Sequence, residues 1–182
     1  IDCQPFDTQS SNISWESCSI RKWLNSTFYD TAFNAGEKTV ICKVETDNSV
    51  ASNKFFNYAD KNTTDYITLF SRTQLTSKEF GFSENDRDDD VRRCSKSTDY
   101  AQAMGAGSGY CNYWTRSHGP TTVQYVLSSD GCVGDCHSPV EANSSGFGVR
   151  PIMVVDKDSG YYSSINRIGE SVTITFYDIS KN

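Results

Sequence analysis

The chain predicts an α+β fold, helices early and sheet late, on three observations. Apolar residues recur at helical spacing in the first third, apolar residues alternate at period two in the second half, and no strand–helix–strand repeat joins the two. At 182 residues, with neither an internal repeat nor an interdomain linker, residues 1–182 read as a single domain long enough to bury a core. Hydrophobic residues make up 36% and aromatics 13%, a composition able to offset the entropy of ordering the chain.

Ser14 and Ser17 offer cap oxygens ahead of Ile20, Trp23 and Leu24, whose i, i+3, i+4 spacing predicts a helix from Glu16 to Leu24 with Trp15 and Trp23 in the core. Phe28, Ala32 and Phe33 repeat the spacing beyond Asn25, giving a helix pair. Glu37 to Val44 then reads as extended, with Val40, Cys42 and Val44 on one side. Glu45 to Thr64, rich in Asn, Asp, Ser and Lys, reads as a long surface loop with an aromatic anchor at Phe55, Phe56 and Tyr58. A buried strand follows at Tyr66 to Phe70. Ser71 and Gln74 have capping-box spacing before Leu75, Glu79 and Phe80, and Gly81 ends that helical region. Ser83 to Arg93 is charged and polar, reading as a solvated run, and Tyr100 to Met104 forms a helical turn that Gly105 to Gly109 breaks. Strands are expected at Tyr113 to Ser117, Val123 to Ser128, Phe147 to Val155 and Val172 to Ile179. The last is an added edge or closing strand, or a connector into a further module, within 157–182.

A net charge of -6 and a pI near 4.9 leave no global positive field for phosphate backbones, so nucleic acid is not an expected partner. No apolar run is long enough for a membrane span; the strongest, Val149 to Val155, is interrupted by Arg150 and Pro151. Seven cysteines point to an oxidising compartment, hence to a secreted or cell-surface protein. The first residue, Ile1, is consistent with a mature or excised segment. The expected pairs are Cys132 with Cys136 across a turn, Cys94 with Cys111 across the Gly-rich loop, and Cys3 with Cys42, leaving Cys18 as a buried thiol. Sequons begin at Asn12, Asn25, Asn62 and Asn143, though Ser- and Asn-rich sequence also produces them by chance.

The segment Trp15-Glu16-Ser17-Cys18-Ser19-Ile20-Arg21-Lys22-Trp23-Leu24-Asn25, followed by Phe28, Ala32-Phe33 and Glu37, resembles the opening of an uncharacterised bacterial surface-protein domain family of gut Firmicutes. Tyr66-Ile67-Thr68-Leu69-Phe70-Ser71 is similar to its D-x-x-F-L-L-S strand, Thr98-Asp99-Tyr100-Ala101 to its T-x-Y-A, Tyr113-Trp114-Thr115-Arg116-Ser117 to its W-W-L-R-S, and Gly148-Val149-Arg150-Pro151 to its G-V-R-P. The resemblance spans about residues 12–156. That family in turn resembles the C-type lectin-like fold in its variable-protein and formylglycine-generating-enzyme branches. The resemblance implies an early helix pair packed on a small twisted antiparallel sheet, with long loops on one side presenting a binding surface. It also implies a module of a larger surface protein.

For chemistry, a cysteine activated by His118 or His137 is the best nucleophile on offer, but His137 directly after Cys136 carries no family signature and reads as a disulfide turn. Cys132, Cys136 and His137 lack a second ligand pair for zinc. Asp86, Asp88 and Asp90 have the rhythm of a calcium loop, yet Val91 and Ser97 stand where an EF-hand needs Gly and Glu, so no cofactor is expected and calcium is left open. Neither E-P-N nor Q-P-D of sugar-binding C-type lectins occurs. Arg116 and Arg150 read either as a clamp for an anion or, preferred, as structural guanidiniums on loop carbonyls.

These readings converge on a non-catalytic recognition module binding carbohydrate, or else a host or partner protein. A small hydrolase or transferase using Cys or His chemistry, and a structural spacer, are the alternatives. Loops between Trp114 and Gly148 are expected to carry binding: Trp114 at the border, His118 and Tyr125 as amphipathic contacts, Asp130 and Glu141 as hydroxyl acceptors, Asn143 as a two-way amide.

Overall fold

A computed structural model describes residues 1–54, 56–87, 90–133, 138–156, 158, 162–168 and 171–176. In chain order its elements are β1 (Asp2–Cys3), α1 (Ser19–Trp23), a π-helical turn (Leu24–Phe28), α2 (Tyr29–Ala32), α3 (Ala35–Val40), β2 (Ile41–Cys42), β3 (Val44–Thr46), α4 (Val50–Asn53), β4 (Thr63–Asp65) and β5 (Thr68–Leu69). Then come α5 (Arg72–Leu75), a 3₁₀ turn (Lys78–Phe80), α6 (Asp99–Ala103), β6 (Tyr113–His118), β7 (Thr122–Val126), β8 (Val140–Glu141), β9 (Gly148–Val149), β10 (Pro151–Ile152), β11 (Val154–Val155), β12 (Tyr162–Ile168) and β13 (Ser171–Phe176). The α+β class is as the sequence predicts.

The expected helix pair is one run, 19–32, with its middle turn wound as a π-helix. Asn25, read as the break, is instead a tie. Its Oδ1 accepts from Tyr66 and Ile67 N–H at 2.8 and 3.1 Å while its amide donates to Arg21 O and Ile67 O. Glu37 to Val40 is helical rather than extended, because Asn34 and Glu37 form a reciprocal capping box that starts α3, a device stabilising by about 1 kcal/mol. The Ser71–Gln74 box forms as read, and Gly81 closes the following turn at φ 85°.

The main sheet has the order β1-β9-β6-β7-β8, antiparallel except for the parallel β9–β6 pair. β6 is buried along its whole length because both its faces are covered. Trp114 packs with Phe6, Trp15, Ile20, Leu24 and Val149, whereas Tyr113 packs with Leu75, Phe82, Val126 and Val133. Trp15 is in the core as expected, but Trp23 is only half-buried, its ring lying 5.1 Å from that of Phe28. The closing segment read as one strand, 147–155, is three short strands on three sheets: β9 joins β1, β10 joins β5 and β11 joins β2. The loop read over 45–64 holds β3, α4 and β4; Tyr58 packs on His118, and Phe55 lies outside the described residues. β12 and β13 pair with each other as a separate hairpin.

The charged run 83–93 is not simply solvated. Arg93 is fully buried and donates to Leu75, Ser83, Asn85 and Gly131 carbonyls, so it gathers the loop around itself. Gly131 comes so close that a Cβ there would sit 2.4 Å from Asp90 O, and its φ is 76°.

Candidate functional site

The site begins with an irregularity in β6. Tyr113 and Trp114 pair with Val126 and Tyr125, but His118 pairs with Val123, so the register shifts between them. Such a bulge re-aims the side chains within it. Arg116 sits there, its N–H turned to Phe70 O at 2.9 Å. Its guanidinium donates to Leu69 O (2.7 Å), Gln74 Oε1 (2.6 Å), Asp47 O (3.0 Å) and Ser52 Oγ (3.2 Å). Gln74 Oε1 is the same atom that accepts from Ser71 N–H, so the capping box of α5 and the arginine share one acceptor.

Among the described residues no carboxylate lies within ion-pair distance of Arg116, which is 5% exposed. Burial therefore pulls its pKa down to about 10, against the weaker opposing pull of Asp47 and Asp65. A charged group so placed favours an anionic or acceptor-bearing neighbour.

Arg116 lies at the edge of a cavity of about 630 Å³. Val44, Thr46 and Ala51 line it from the β3–α4 side. Phe70, Gln74 and Phe80 line it from the α5 side. Ile152, Met153 and Val154 close it from the β10–β11 segment, and Tyr66, stacked on Tyr29 with centroids 4.5 Å apart, stands at one end. Phe80, Met153 and Val154 are large apolar side chains 46%, 43% and 49% exposed, and all three meet at this cavity. Size and lining are those of a ligand pocket, a mostly apolar wall with few polar groups.

The residues expected to bind fall elsewhere. Trp114 is fully buried, its indole N–H donating to Gln4 O at 2.9 Å and its ring stacked on Phe147, so it cannot stack on a ligand. His118 is 3% exposed. Its Nδ1 lies 2.9 Å from Gly119 O and its Nε2 2.8 Å from Asp60 Oδ2, so neither nitrogen is available as a base or a ligand contact. The histidine packs between Phe6 and Tyr58, a structural role that its place at the strand end did not announce. Tyr125 is partly buried against Phe147. Asp130 caps the turn after β7 by accepting from Cys132 N–H at 2.8 Å. Glu141 and Asn143 are exposed, but Glu141 pairs with Thr122 at the other end of β7, roughly 13 Å from the Asp130 turn at about 3.3 Å per residue. The structure does not bring Asp130 and Glu141 together.

Arg116 and Arg150 follow the structural reading: Arg150 donates to Arg93 O and Tyr113 Oη and lies over the Tyr113 ring. Asp86 is paired with Arg72, and Asp90 with Arg92 at 2.7 Å. For both acids burial pushes the pKa up, but the arginine bonds outweigh it and hold the carboxyl low. Asp88 lies outside the described residues, and among those described no group of three or more His, Cys, Asp or Glu could hold a metal.

The cysteine pairing is revised. Cys132 is disulfide-bonded; Cys136, together with His137, lies outside the described residues. Cys18 is a buried thiol as expected, its pKa pushed far up by desolvation. Cys3, Cys42, Cys94 and Cys111 are thiols too. Cys3 pairs across the sheet with Gly148 and Cys42 with Val154, six residues further along and up to about 20 Å away in extended chain. The Lys96–Tyr110 bridge and the bond from Cys111 N–H to Ser95 O set Ser95, not Cys94, opposite Cys111.

The family model of a domain of unknown function, DUF6273, matches residues 2–157. The chain belongs to that family. No curated protein and no solved structure matches it. The DUF6273 match takes in β1 through β11, and with them every wall of the Arg116 cavity, and it ends before the β12–β13 hairpin. Nothing local in the sequence marks this cavity, since its lining comes from segments between Val44 and Val154; the one signal was Arg116 in a strand otherwise apolar or small. No helix among the described residues is long and apolar enough to cross a membrane.

Proposed function

We propose that this DUF6273 chain is a non-catalytic recognition module of a secreted or cell-surface bacterial protein, built on a C-type lectin-like plan, and that its ligand enters the Arg116 cavity. The observation that carries the reading is the convergence of Phe80, Met153 and Val154, exposed and apolar, around a cavity bordered by Arg116, a buried cation with no carboxylate within ion-pair distance among the described residues. The early helices on a small sheet, with long connections on either side, support the lectin-like plan. The engagement of both His118 nitrogens supports binding over catalysis.

A partner protein segment is favoured over a neutral glycan. Polyhydroxylated ligands need many directional acceptors and donors, whereas this wall is mainly aliphatic and aromatic and suits inserted apolar side chains. Arg116, its guanidinium engaged by Leu69, Gln74, Asp47 and Ser52, ties the cavity walls to one another and so holds the apolar surface in shape for such a segment.

A displayed random-peptide library, panned on the whole chain beside a glycan array, tests this. Enriched peptides are expected to be rich in apolar residues, and Met153→Asp is expected to weaken them at least tenfold with an unchanged circular dichroism spectrum. Glycan binding without peptide enrichment, or peptide affinity indifferent to Met153→Asp, would overturn the proposal.

A further inference from the structure

Cys3 and Cys111 lie together. Both are buried, and they form one small cluster with Ala101 and Ala106. Cys3 stands directly across the β1–β9 ladder from Gly148. Directly opposed residues on one face have their Cβ atoms about 4.5–5.5 Å apart. Gly148 has no Cβ, and the place where it would stand is 2.9 Å from the Cys111 sulfur and 3.4 Å from Asn112 O. The sulfur of Cys111 thus fills the position from which a side chain at 148 would face Cys3. Gly148 is tied to the Cys111 segment by its own N–H, which donates to Asn112 O at 2.7 Å, and by the parallel bridge to Tyr113.

We propose that Cys3 and Cys111 form a disulfide that joins β1 to the segment entering β6. In forming it, the two thiols give up two protons and two electrons to a disulfide donor, protein-borne or of the glutathione type. The donor's S–S bond breaks, it leaves as two thiols, and the new S–S bond forms between Cys3 and Cys111. Desolvation, the largest influence on each, raises both thiol pKa values, so little thiolate exists in the closed protein. The bond accordingly forms before the core closes and resists reductants afterwards.

The test is to refold the whole chain in a reduced and oxidised glutathione buffer in which Cys132 is recovered bridged, then to alkylate under denaturing, non-reducing conditions and map the peptides by mass spectrometry. The expected result is a linked peptide pair carrying Cys3 and Cys111, with three cysteines alkylated. Cys3→Ser is expected to raise the alkylated number to four by releasing Cys111. Recovery of Cys3 or Cys111 in any other bridge, or both alkylated in a sample whose Cys132 is bridged, overturns the assignment. So does a thiol number that falls from five to four on Cys3→Ser.

Discussion

Tyr113→Phe deletes one hydroxyl and changes how stability responds to alkali. Tyr113 is fully buried; its hydroxyl donates to Arg93 O at 2.6 Å and accepts from Arg150 Nη1 at 2.9 Å. Burial pushes the phenol up to about 12 from 10.0, while the charge and hydrogen bond of Arg150 pull the other way and lose. The native protein therefore keeps a proton that the unfolded chain releases. The resulting stability is whole below pH 10 and is lost as pH rises toward 12. Two units correspond to about 2.7 kcal/mol at the end of that window, of which about 1.4 kcal/mol is gone by pH 11. At pH 8 the wild type is expected to exceed Tyr113→Phe by about 1–2 kcal/mol, the worth of the lost hydrogen bonds. Urea unfolding followed by tryptophan fluorescence at pH 8, 9, 10 and 11 measures the gap. It should close by pH 11. Cys18, raised by burial, loses stability in the same range and Arg116, lowered by burial, gains it, but both are common to the two proteins and cancel in the difference. A gap that stays constant within about 0.5 kcal/mol from pH 8 to 11 refutes the burial argument for this phenol.

Trp114→Ala should cost about 3–5 kcal/mol as a deletion from the closed core, whereas Trp23→Ala, half-buried, should cost roughly 1–2 kcal/mol; urea midpoints rank the two, and equal losses contradict the packing described. Gly131→Ala forces a Cβ against Asp90 O at a positive φ and should destabilise by about 2–4 kcal/mol, read as a drop in melting temperature. Asp130→Ala removes the acceptor for Cys132 N–H and should cost about 1 kcal/mol without altering peptide binding; a binding defect at unchanged stability would return the site to the 114–148 loops. Phe80→Ser should weaken selected peptides at least fivefold while costing only about 1 kcal/mol of stability in urea unfolding, because its side chain is about half exposed and packs edge-on against Phe70.

What the sequence made legible was whatever acts over one or two turns. Ser71 and Gln74 announce α5 and Gly81 the end of the 3₁₀ turn after it, because caps and left-handed positions are local chemistry. Alternation located β6 and β7 within a residue or two. It also misled, since a period-two pattern over 147–155 says that a segment is extended but not that it changes partner twice. Val40, Cys42 and Val44 looked like one strand, yet the Asn34–Glu37 box captured the first of them for a helix. The binding surface was expected in the loops after Trp114 because polar residues gather there. Phe80 is more than 70 residues from the Met153–Val154 pair in sequence, and an apolar residue looks the same whether it is destined for a core or a rim. His118 and Trp114 carry useful chemistry in the abstract, and burial removed both from use.

The threefold division of the short run from Gly148 to Val155 also bears on how the chain is made. Of these strands β1 leaves the ribosome first, and its partner Gly148 follows some 145 residues later, which at about 5–20 residues per second is a delay of roughly 7 to 30 s. Through that interval β1, β2 and β5 all lack their partner, since all three are completed by the same eight residues. A fragment ending before Gly148 would therefore leave three edges open at once and should aggregate rather than fold in part. The run from Gly148 to Val155 acts as a clasp, and the nascent chain is at its most vulnerable just before it emerges.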